Sequence, residues 1–340
     1  NVYSYEKPTT KEEKWSNGKL KATGLMACGT KVGIWSYYNV DGILQEAYEL
    51  KDGKKTGLGK TFHPNGKIES EGSFKYGKKE EEWKFFNETG ELAKVVSYKY
   101  GDPKGPFKLY YKSGKIKAEG TYGYSQRIEG EELHYYESGK KLSHFDSKTE
   151  DFRSWYEDGK IMSQGKFTYD KKKKGLWKEY YASGKIKSEK SFRYGDLFGS
   201  YKEFYENGQV KTERKYGYSK AKEGTWKTFN SNGVLTSTET YSSGKLHGKT
   251  ITFYDSGKEY MIRNFNYGTQ KGLYSLKSET GSILEYGMYD SRGKKTGVWV
   301  KNFDSGETKE KKTYKSGVLN GSVELYSSPK VLYKTYNMLN

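Results

Sequence analysis

A glycine recurs along this chain at steps of 24 or 25 residues, with one shorter step of 20. A single globular core imposes no such period, and self-similarity at 20–50 residues marks a repeat array. The sequence therefore predicts about thirteen similar units, and such arrays usually serve as binding surfaces or spacers. The recurring glycines are Gly18, Gly42, Gly66, Gly90, Gly114, Gly139, Gly159, Gly184, Gly208, Gly233, Gly257, Gly281 and Gly306.

Aromatic residues occupy two further columns at even distances from these glycines. Even offsets within a strand place side chains on one face, and the residues between them are polar. This alternation predicts strands with one apolar and one solvated face. Four residues before the glycine lie Tyr38, Phe62, Phe86, Tyr110, Tyr135, Trp155, Tyr180, Phe204, Phe229 and Phe253. Eight residues after it lie Phe74, Tyr98, Tyr122, Phe167, Phe192, Tyr216, Tyr241, Phe265, Tyr289 and Tyr314.

Two turns recur in each unit. Every recurring glycine follows Asn, Ser, Asp or Thr, as in Asn65-Gly66, and such dipeptides mark hairpin turns. A second turn comes about eleven residues later, as in Tyr76-Gly77 and Tyr100-Gly101. Two strands and two tight turns per unit predict an all-β, single-layer antiparallel meander. Because neighbouring strands lie ~4.8 Å apart, each unit advances the sheet by ~10 Å, so the sheet is expected to be elongated.

The unit resembles the MORN repeat (membrane occupation and recognition nexus), and in particular its bacterial, antitoxin-like variant. The pattern G-x-[WYF]-x-x-[YF]-[YF]-x-x-G-K-[IL] carries this resemblance, as in GPFKLYYKSGKI (105–116) and GLWKEYYASGKI (175–186). The resemblance covers about residues 15–326. It implies that each unit is a β-hairpin and that the hairpins stack edge to edge.

Departures from the repeat divide the chain. We expect a lead-in at 1–14, a first segment of repeats at 15–139 and a second at 152–328. Between them, the unit at 140–151 lacks the second turn glycine, which predicts a kink, a short strand or a bulge there. Residues 329–340 no longer follow the repeat but contain several apolar side chains. We expect a cap on the last hairpins, with a disordered tail or a docking segment as alternatives.

The composition fits a thin sheet rather than a conventional core. Hydrophobic residues make up 33% of the chain and aromatic residues 16%, so little aliphatic material is available for a core. Cross-strand aromatic pairs can hold such a sheet, at roughly 0.2–1 kcal/mol each. The regular spacing of the tyrosines argues against disorder. One cysteine, Cys28, allows no intrachain disulfide.

The formal charge of +18 points to anionic partners. Three interpretations stay open: a solvated surface, weak attraction to an anionic lipid or glycan surface, and nucleic-acid binding. The basic residues are nearly all lysine, whereas nucleic-acid readers favour the planar fork of arginine. Nucleic-acid binding is therefore the least favoured of the three interpretations.

No residue constellation indicates catalysis, a cofactor or a metal. The histidines His63, His134, His144 and His247 do not have metal-ligand spacing. Consecutive carboxylates such as Glu131 and Glu132 point to alternate faces of a strand, so they cannot act as a pair. We therefore predict a protein that is not an enzyme.

A third aromatic column supplies the candidate partner-binding residues. It lies seven residues before the recurring glycine, an odd offset that places it on the other face unless a bulge intervenes. These rings either pack against neighbouring strands or form an exposed track for a partner. The column consists of Trp35, Trp83, Phe107, Trp177, Tyr201, Trp226, Tyr274 and Trp299.

Together these features predict a non-enzymatic scaffold that binds a protein partner. A lipid- or glycan-associated surface protein is one alternative, and an antitoxin-like partner of a toxin is another. The chain starts at Asn1 without Met, which hints at a removed signal peptide. We expect the bacterial cell envelope as its location, with the cytoplasm as the alternative.

Overall fold

The computed structural model describes residues 7–338, and these form β-strands joined by tight turns without any α-helix. Short 3-10 turns occur at Tyr124–Gln126 and Tyr218–Lys220. The chain divides into two compact units, one up to Ile161 and the other from Met162 onward. Residues 1–6 of the predicted lead-in and residues 339–340 of the predicted C-terminal segment lie outside the described part.

The first unit is an antiparallel meander in which each strand pairs with the next. For example, β5 pairs with β6 and β6 with β7. Its strands are β1 (Thr9–Lys14), β2 (Leu20–Ala27), β3 (Thr30–Tyr38), β4 (Leu44–Lys51), β5 (Lys54–Phe62), β6 (Ile68–Lys75), β7 (Lys78–Phe86), β8 (Leu92–Lys99), β9 (Asp102–Tyr110), β10 (Ile116–Tyr122), β11 (Ile128–Tyr135), β12 (Lys141–Asp146) and β13 (Asp151–Trp155).

The second unit repeats this arrangement, and β22 pairs with both pieces of its broken neighbour, β23 and β24. Its strands are β14 (Ile161–Phe167), β15 (Lys173–Tyr180), β16 (Ile186–Arg193), β17 (Asp196–Phe204), β18 (Val210–Tyr216), β19 (Lys222–Phe229), β20 (Leu235–Ser242), β21 (Lys245–Phe253), β22 (Glu259–Asn266), β23 (Thr269–Gln270), β24 (Gly272–Lys277), β25 (Ile283–Tyr289), β26 (Lys295–Asn302), β27 (Thr308–Lys315), β28 (Val318–Ser328) and β29 (Val331–Met338). The predicted all-β meander of hairpin repeats is confirmed.

Turns alternate between two edges of each sheet. The recurring glycines form the first-turn edge, where Gly66 has φ +82°. The Tyr-Gly dipeptides form the second-turn edge, where the N–H of Gly77 donates to the carbonyl of Lys55 at 2.8 Å. At the first-turn edge the Tyr181 hydroxyl donates to the Phe204 carbonyl at 2.7 Å. Hydrogen bonds at both edges thus fasten each hairpin to its neighbour.

A register shift that recurs in the hairpins changes which side chains share a face. Thr61 pairs with Ser70, yet the adjacent Phe62 pairs with Ile68. This bulge reverses the even–odd relation between the two strands. The aromatic residues seven before the recurring glycine therefore lie on the same face as those eight after it. Trp83 accordingly packs edge-on against Phe74, with ring centroids 5.0 Å apart.

The core of each unit is one face of the sheet, which we call the aromatic face. There the Trp83 ring lies over Gly72 of the preceding strand, where an added Cβ would be 2.4 Å from the ring. Its indole N–H donates to the Ser73 carbonyl at 3.0 Å. Only glycine leaves room for a ring this close to the backbone, so the ring covers the strand it adjoins.

The irregular unit contains the short strand β12, of six residues, and the five-residue strand β13 begins at its last residue. At the C-terminus β29 pairs with β28 and exposes its side chains along its length. It therefore continues the sheet instead of covering the last hairpin. The boundaries at 139 and 152 stay predictions.

Candidate functional site

The predicted partner-binding column is buried. Seven of its eight members retain at most 9% of their surface: Trp35 0%, Trp83 0%, Phe107 3%, Trp177 1%, Tyr201 9%, Trp226 9% and Trp299 4%. Tyr274 is half-buried and stacks on Trp299, with centroids 5.4 Å apart. The expectation that these residues form an exposed track is wrong, because the bulge turns them onto the packed aromatic face.

Lysine side chains close that face further. In five repeats the residue four positions before the tryptophan is a lysine whose ammonium lies over the indole ring. The Nζ–centroid distances are 3.9 Å for Lys31 on Trp35, 4.1 Å for Lys79 on Trp83, 4.3 Å for Lys173 on Trp177, 4.5 Å for Lys222 on Trp226 and 3.8 Å for Lys295 on Trp299. Burial lowers the pKa of Lys79 and of Lys173. Part of the positive charge thus serves the fold.

The exposed aromatic residues lie instead at the second-turn edge. We call Tyr76, Tyr100 and Tyr124 the first tyrosine row, and their exposed fractions are 79%, 70% and 80%. In the second unit Tyr169, Tyr194, Tyr218 and Tyr267 form the second tyrosine row, with exposed fractions of 68%, 71%, 72% and 56%. The sequence analysis treated the second turns, four of which contain a Tyr-Gly dipeptide, only as turns, and it missed these rings as candidates.

Four of these tyrosines, Tyr76, Tyr100, Tyr194 and Tyr267, occupy an unfavourable backbone conformation. Tyr76 and Tyr100 have φ of +53° and +55°, in the left-handed region that costs a side chain with a Cβ roughly 1–2 kcal/mol. Equivalent turns elsewhere use small polar residues: Asp52 at φ +50° and Ser243 at φ +49°. Such residues suit the conformation better, so the fold does not require tyrosine here.

Lysines line clefts beside the first tyrosine row. One cleft, of about 510 Å³, is formed by Lys51, Lys54, Lys75 and Tyr76 with their neighbours. The other, of about 460 Å³, is lined by residues 99–100, 102–104 and 123–126. Among residues 7–338, no carboxylate forms an ion pair with Lys51, Lys54, Lys75 or Lys99. These cations are therefore available to an external anion.

Lysine ammonium groups also lie over the tyrosine rings of this row. The Lys104 ammonium lies 3.6 Å from the centroid of the Tyr124 ring. Its hydrogen bond and positive charge lower the pKa of the Tyr124 hydroxyl. Lys75 and Lys99 lie over the rings of Tyr76 and Tyr100 at the longer distances of 5.9 and 5.7 Å. Positive charge and aromatic surface are thus combined along the row.

The second tyrosine row uses its charges internally. The Arg193 guanidinium donates to the Tyr218 hydroxyl at 3.2 Å, and Phe198 packs against the same ring at 5.1 Å. Lys220 forms a 2.8 Å ion pair with Asp196. Both rows therefore expose tyrosine rings. They differ in whether the charged side chains beside those rings form ion pairs and hydrogen bonds within the chain.

A second candidate surface lies on the face opposite the buried rings, which we call the open face. Four apolar side chains come together on β24, β25 and β26, and we call them the open-face cluster. They are Leu273, Tyr286, Met288 and Val298, with exposed fractions of 65%, 43%, 47% and 45%. Leu273 pairs directly with Met288 across β24 and β25. Contiguous exposed apolar side chains mark interaction sites, whereas single ones do not.

Two histidine–carboxylate pairs adjoin β11 but lie apart from each other. His134 lies 3.3 Å from Glu132, and His144 lies 3.6 Å from Glu131. Because Glu131 and Glu132 are consecutive in β11, the two pairs lie on opposite faces of the sheet. Among residues 7–338, no group of three His, Cys, Asp or Glu side chains is arranged to hold a metal ion. In the same part of the chain, no helix has the length and apolar character needed to cross a membrane.

The MORN repeat variant family matches six stretches of the chain. They are residues 55–76, 103–123, 128–145, 173–194, 199–216 and 222–243. One matched stretch in the first unit ends at Tyr76, and one in the second unit ends at Tyr194. The match therefore includes tyrosines of both rows. The chain matches no curated protein.

Solved structures show only distant likeness. The crystal structure of TcdB2-TccC3-TEV is similar over 94% of this chain and 21% of its own, at 10% identity and a TM-score of 0.18. The Photorhabdus luminescens Tc holotoxin pore matches over 93% and 18%, at 12% identity and a TM-score of 0.18. Alternansucrase in complex with isomaltononaose matches over 80% and 20%, at 18% identity and a TM-score of 0.20. The chain thus spans about a fifth of those chains' length, and these likenesses support no conclusion about it.

Proposed function

Because the chain is a MORN-repeat protein, we propose that it is a non-enzymatic scaffold that binds a protein partner on the open face of its second unit. The observation that carries this proposal is the open-face cluster. Its side chains are presented by three neighbouring strands whose opposite face is filled by Tyr274 and Trp299. The strands are therefore held rigidly while the cluster faces outward.

The surroundings of the cluster resemble the rim of a protein interface. Ser275 pairs with Tyr286, and Thr296 pairs with Met288, so hydroxyl side chains adjoin the apolar ones. Thr313 pairs with Val298 on the next strand. An apolar centre with an uncharged polar border is typical of surfaces that other proteins cover. The aliphatic, aromatic and thioether groups together suit an apolar anchor of a partner.

The test compares a variant that breaks the cluster with a control that changes the repeat position of Leu273 elsewhere in the chain. Leu273→Ser combined with Met288→Ser breaks the cluster, whereas Leu58→Ser is the matched control. Leu58 is 69% exposed but is paired with Ser73, outside any apolar cluster. A photo-crosslinking residue at position 298 should capture a partner in cells of the native organism, and mass spectrometry identifies it.

We expect the double variant to lose most of this partner in a pull-down and the control to retain it. Both variants should keep the melting temperature of the parent, because the altered side chains are exposed. Equal recovery of the partner with all three proteins would contradict the proposal. The cell-envelope setting stays a prediction, which fractionation of the native organism tests.

A further inference from the structure

We propose that the first tyrosine row binds a linear polysaccharide that carries carboxylate or sulfate groups. This binding site goes beyond the proposed protein scaffold, because it lies at the second-turn edge of the first unit and not on the open face of the second. It rests on three observations: tyrosines that the turns do not need, lysines that no carboxylate neutralises, and a regular spacing.

The first observation concerns the turns themselves. Tyr76 and Tyr100 hold a strained backbone conformation and remain at least 70% exposed, so they gain little from packing. Asp52 makes the same turn in the preceding repeat with a side chain that tolerates the conformation better. Strained residues that do nothing for the fold are concentrated at functional sites. The rings are therefore retained for something outside the chain.

The second observation concerns the chemistry of the clefts. A tyrosine ring offers a flat apolar surface for the C–H face of a sugar, while its hydroxyl stays in water. Lysine supplies a compact, mobile charge that suits single carboxylates or sulfates. Lys51, Lys54 and Lys75 surround Tyr76, and the only acidic residue lining that cleft is Asp52. The cleft therefore offers a ring-binding surface and an anion-binding surface together.

The third observation concerns spacing. Successive turns at this edge are separated by two strands, which corresponds to ~10 Å. In an extended polysaccharide, alternate sugar rings present the same face, so one tyrosine can meet every second ring. The backbone bonds from Gly77 to Lys55 and from Gly101 to Lys79, at 2.8 and 2.9 Å, fix this spacing. A ligand must span ~20 Å to reach all three tyrosines.

Other polyanions fit this spacing less well. A single-stranded nucleic acid stacks successive bases on aromatic side chains that lie close together. The rings here are one per repeat, and their cations are lysines. The flat headgroup layer of a membrane would need cations across a face, whereas these follow one edge of the sheet.

The experiment measures binding of alginate and heparin oligosaccharides of increasing length by isothermal titration calorimetry. Neutral cello-oligosaccharides, phosphatidylglycerol vesicles and oligo(dT) are the comparison ligands. We expect the anionic oligosaccharides to bind once they exceed ~20 Å, and their affinity to fall as salt screens the lysines. A disaccharide and the neutral chains should bind far more weakly.

Two double variants distinguish the site from a general charge effect. Tyr76→Ser with Tyr100→Ser removes two rings of the first row, and the affinity should fall at least about tenfold. Tyr194→Ser with Tyr267→Ser changes the same kind of turn in the second row, where the change should stay below about twofold. Serine occupies this turn at Ser243 and Ser316, so both proteins should fold. Melting temperature and the open-face partner pull-down verify this.

Affinity for the oligosaccharides that is equal in both double variants would overturn the proposal. So would binding that the neutral chains share, or stronger binding of vesicles or oligo(dT) that disappears in the first double variant. Loss of the protein partner without loss of oligosaccharide binding would affect only the proposed scaffold function.

Discussion

Trp83 and Tyr100 represent two groups of aromatic residues in the same sheet, one buried and the other exposed. Trp83 is completely buried between a glycine and a lysine, whereas Tyr100 is 70% exposed in a strained turn. The difference lies in what each position requires. The strand position needs a large flat ring to fill the space over Gly72, while the turn accepts serine or aspartate equally well. Aromatic content alone therefore does not indicate a binding surface in such an array.

The largest expected effect is on Trp83. Trp83→Ala should lower the free energy of unfolding by about 3–5 kcal/mol, because it removes a fully buried ring. Tyr100→Ser should change it by no more than about 0.5 kcal/mol. Urea denaturation followed by circular dichroism measures both. If the two substitutions cost the same, the distinction between the populations is wrong.

A methyl group on the partner strand should have the next largest effect. Gly72→Ala would place a Cβ 2.4 Å from the Trp83 ring, so the ring or the strand must move. We expect a loss of about 1–3 kcal/mol, as for other overpacked sites. Arg214→Ala is the control: the equivalent residue opposite Trp226 already carries a Cβ, and its guanidinium lies 5.0 Å from the ring centroid. Thermal denaturation should show a clearly smaller change for that variant.

Alkaline pH should separate buried from exposed tyrosines. Burial, together with the hydroxyl's bond to the Glu239 carboxylate, raises the pKa of Tyr241 to about 12. Burial and a bond to Glu119 likewise raise the pKa of Tyr135 to about 12. The unfolded chain ionises these hydroxyls near pH 10. Because folding raises these pKa values, the protonated hydroxyls stabilise the folded state fully below pH ~10. This stabilisation is lost as the pH rises toward 12.

Phenolate absorbance and denaturation between pH 8 and 12 measure this effect. Tyr124, whose pKa Lys104 lowers, should ionise early and without unfolding. Tyr241→Phe should remove one late-ionising group and reduce the alkaline loss of stability. A single titration step for all tyrosines, without change in stability, would show that the burial does not matter.

The smallest expected effect is on the strained turns. Tyr100→Asn should raise the free energy of unfolding by up to about 1 kcal/mol, because asparagine tolerates positive φ. The reciprocal change Asp52→Tyr should lower it by a similar amount. Paired melting curves are sensitive enough to compare the two. If tyrosine proves the more stabilising residue in both turns, its presence serves the fold and not a ligand.

The glycine period was sufficient to predict the hairpin meander, because turn chemistry and side-chain alternation follow directly from local residues. The face assignment failed at Trp83 because a one-residue bulge reverses which face the following residues occupy. This bulge lies between Phe85 and Phe86 in the hairpin of Trp83 and between Thr61 and Phe62 in the preceding one, and no residue type marks it. One pattern could have revealed it: Gly24, Gly72, Gly165 and Gly287 each precede a tryptophan by eleven or twelve residues. A glycine inside a strand often marks the close approach of another group.

The exposed tyrosines could not be ranked from the sequence. Tyr76-Gly77 and Asn65-Gly66 both predict a tight turn, and the sequence does not show that Ser243 occupies the same turn position as Tyr76. Nor does it show which lysines are occupied: Lys79 covers a ring, whereas Lys75 lines a cleft. Such distinctions depend on distances between neighbouring repeats.

The short strands β12 and β13 have a consequence for how the first unit opens. Their pairing joins three residue pairs, whereas β5 and β6 join six. In an array whose stability is a sum over nearest neighbours, the weakest junction opens first and most often. Backbone amides of β12 should therefore exchange with deuterium sooner than those of β6. Local unfolding of the first unit would then be concentrated at the irregular unit, and the repeats before it would open less often.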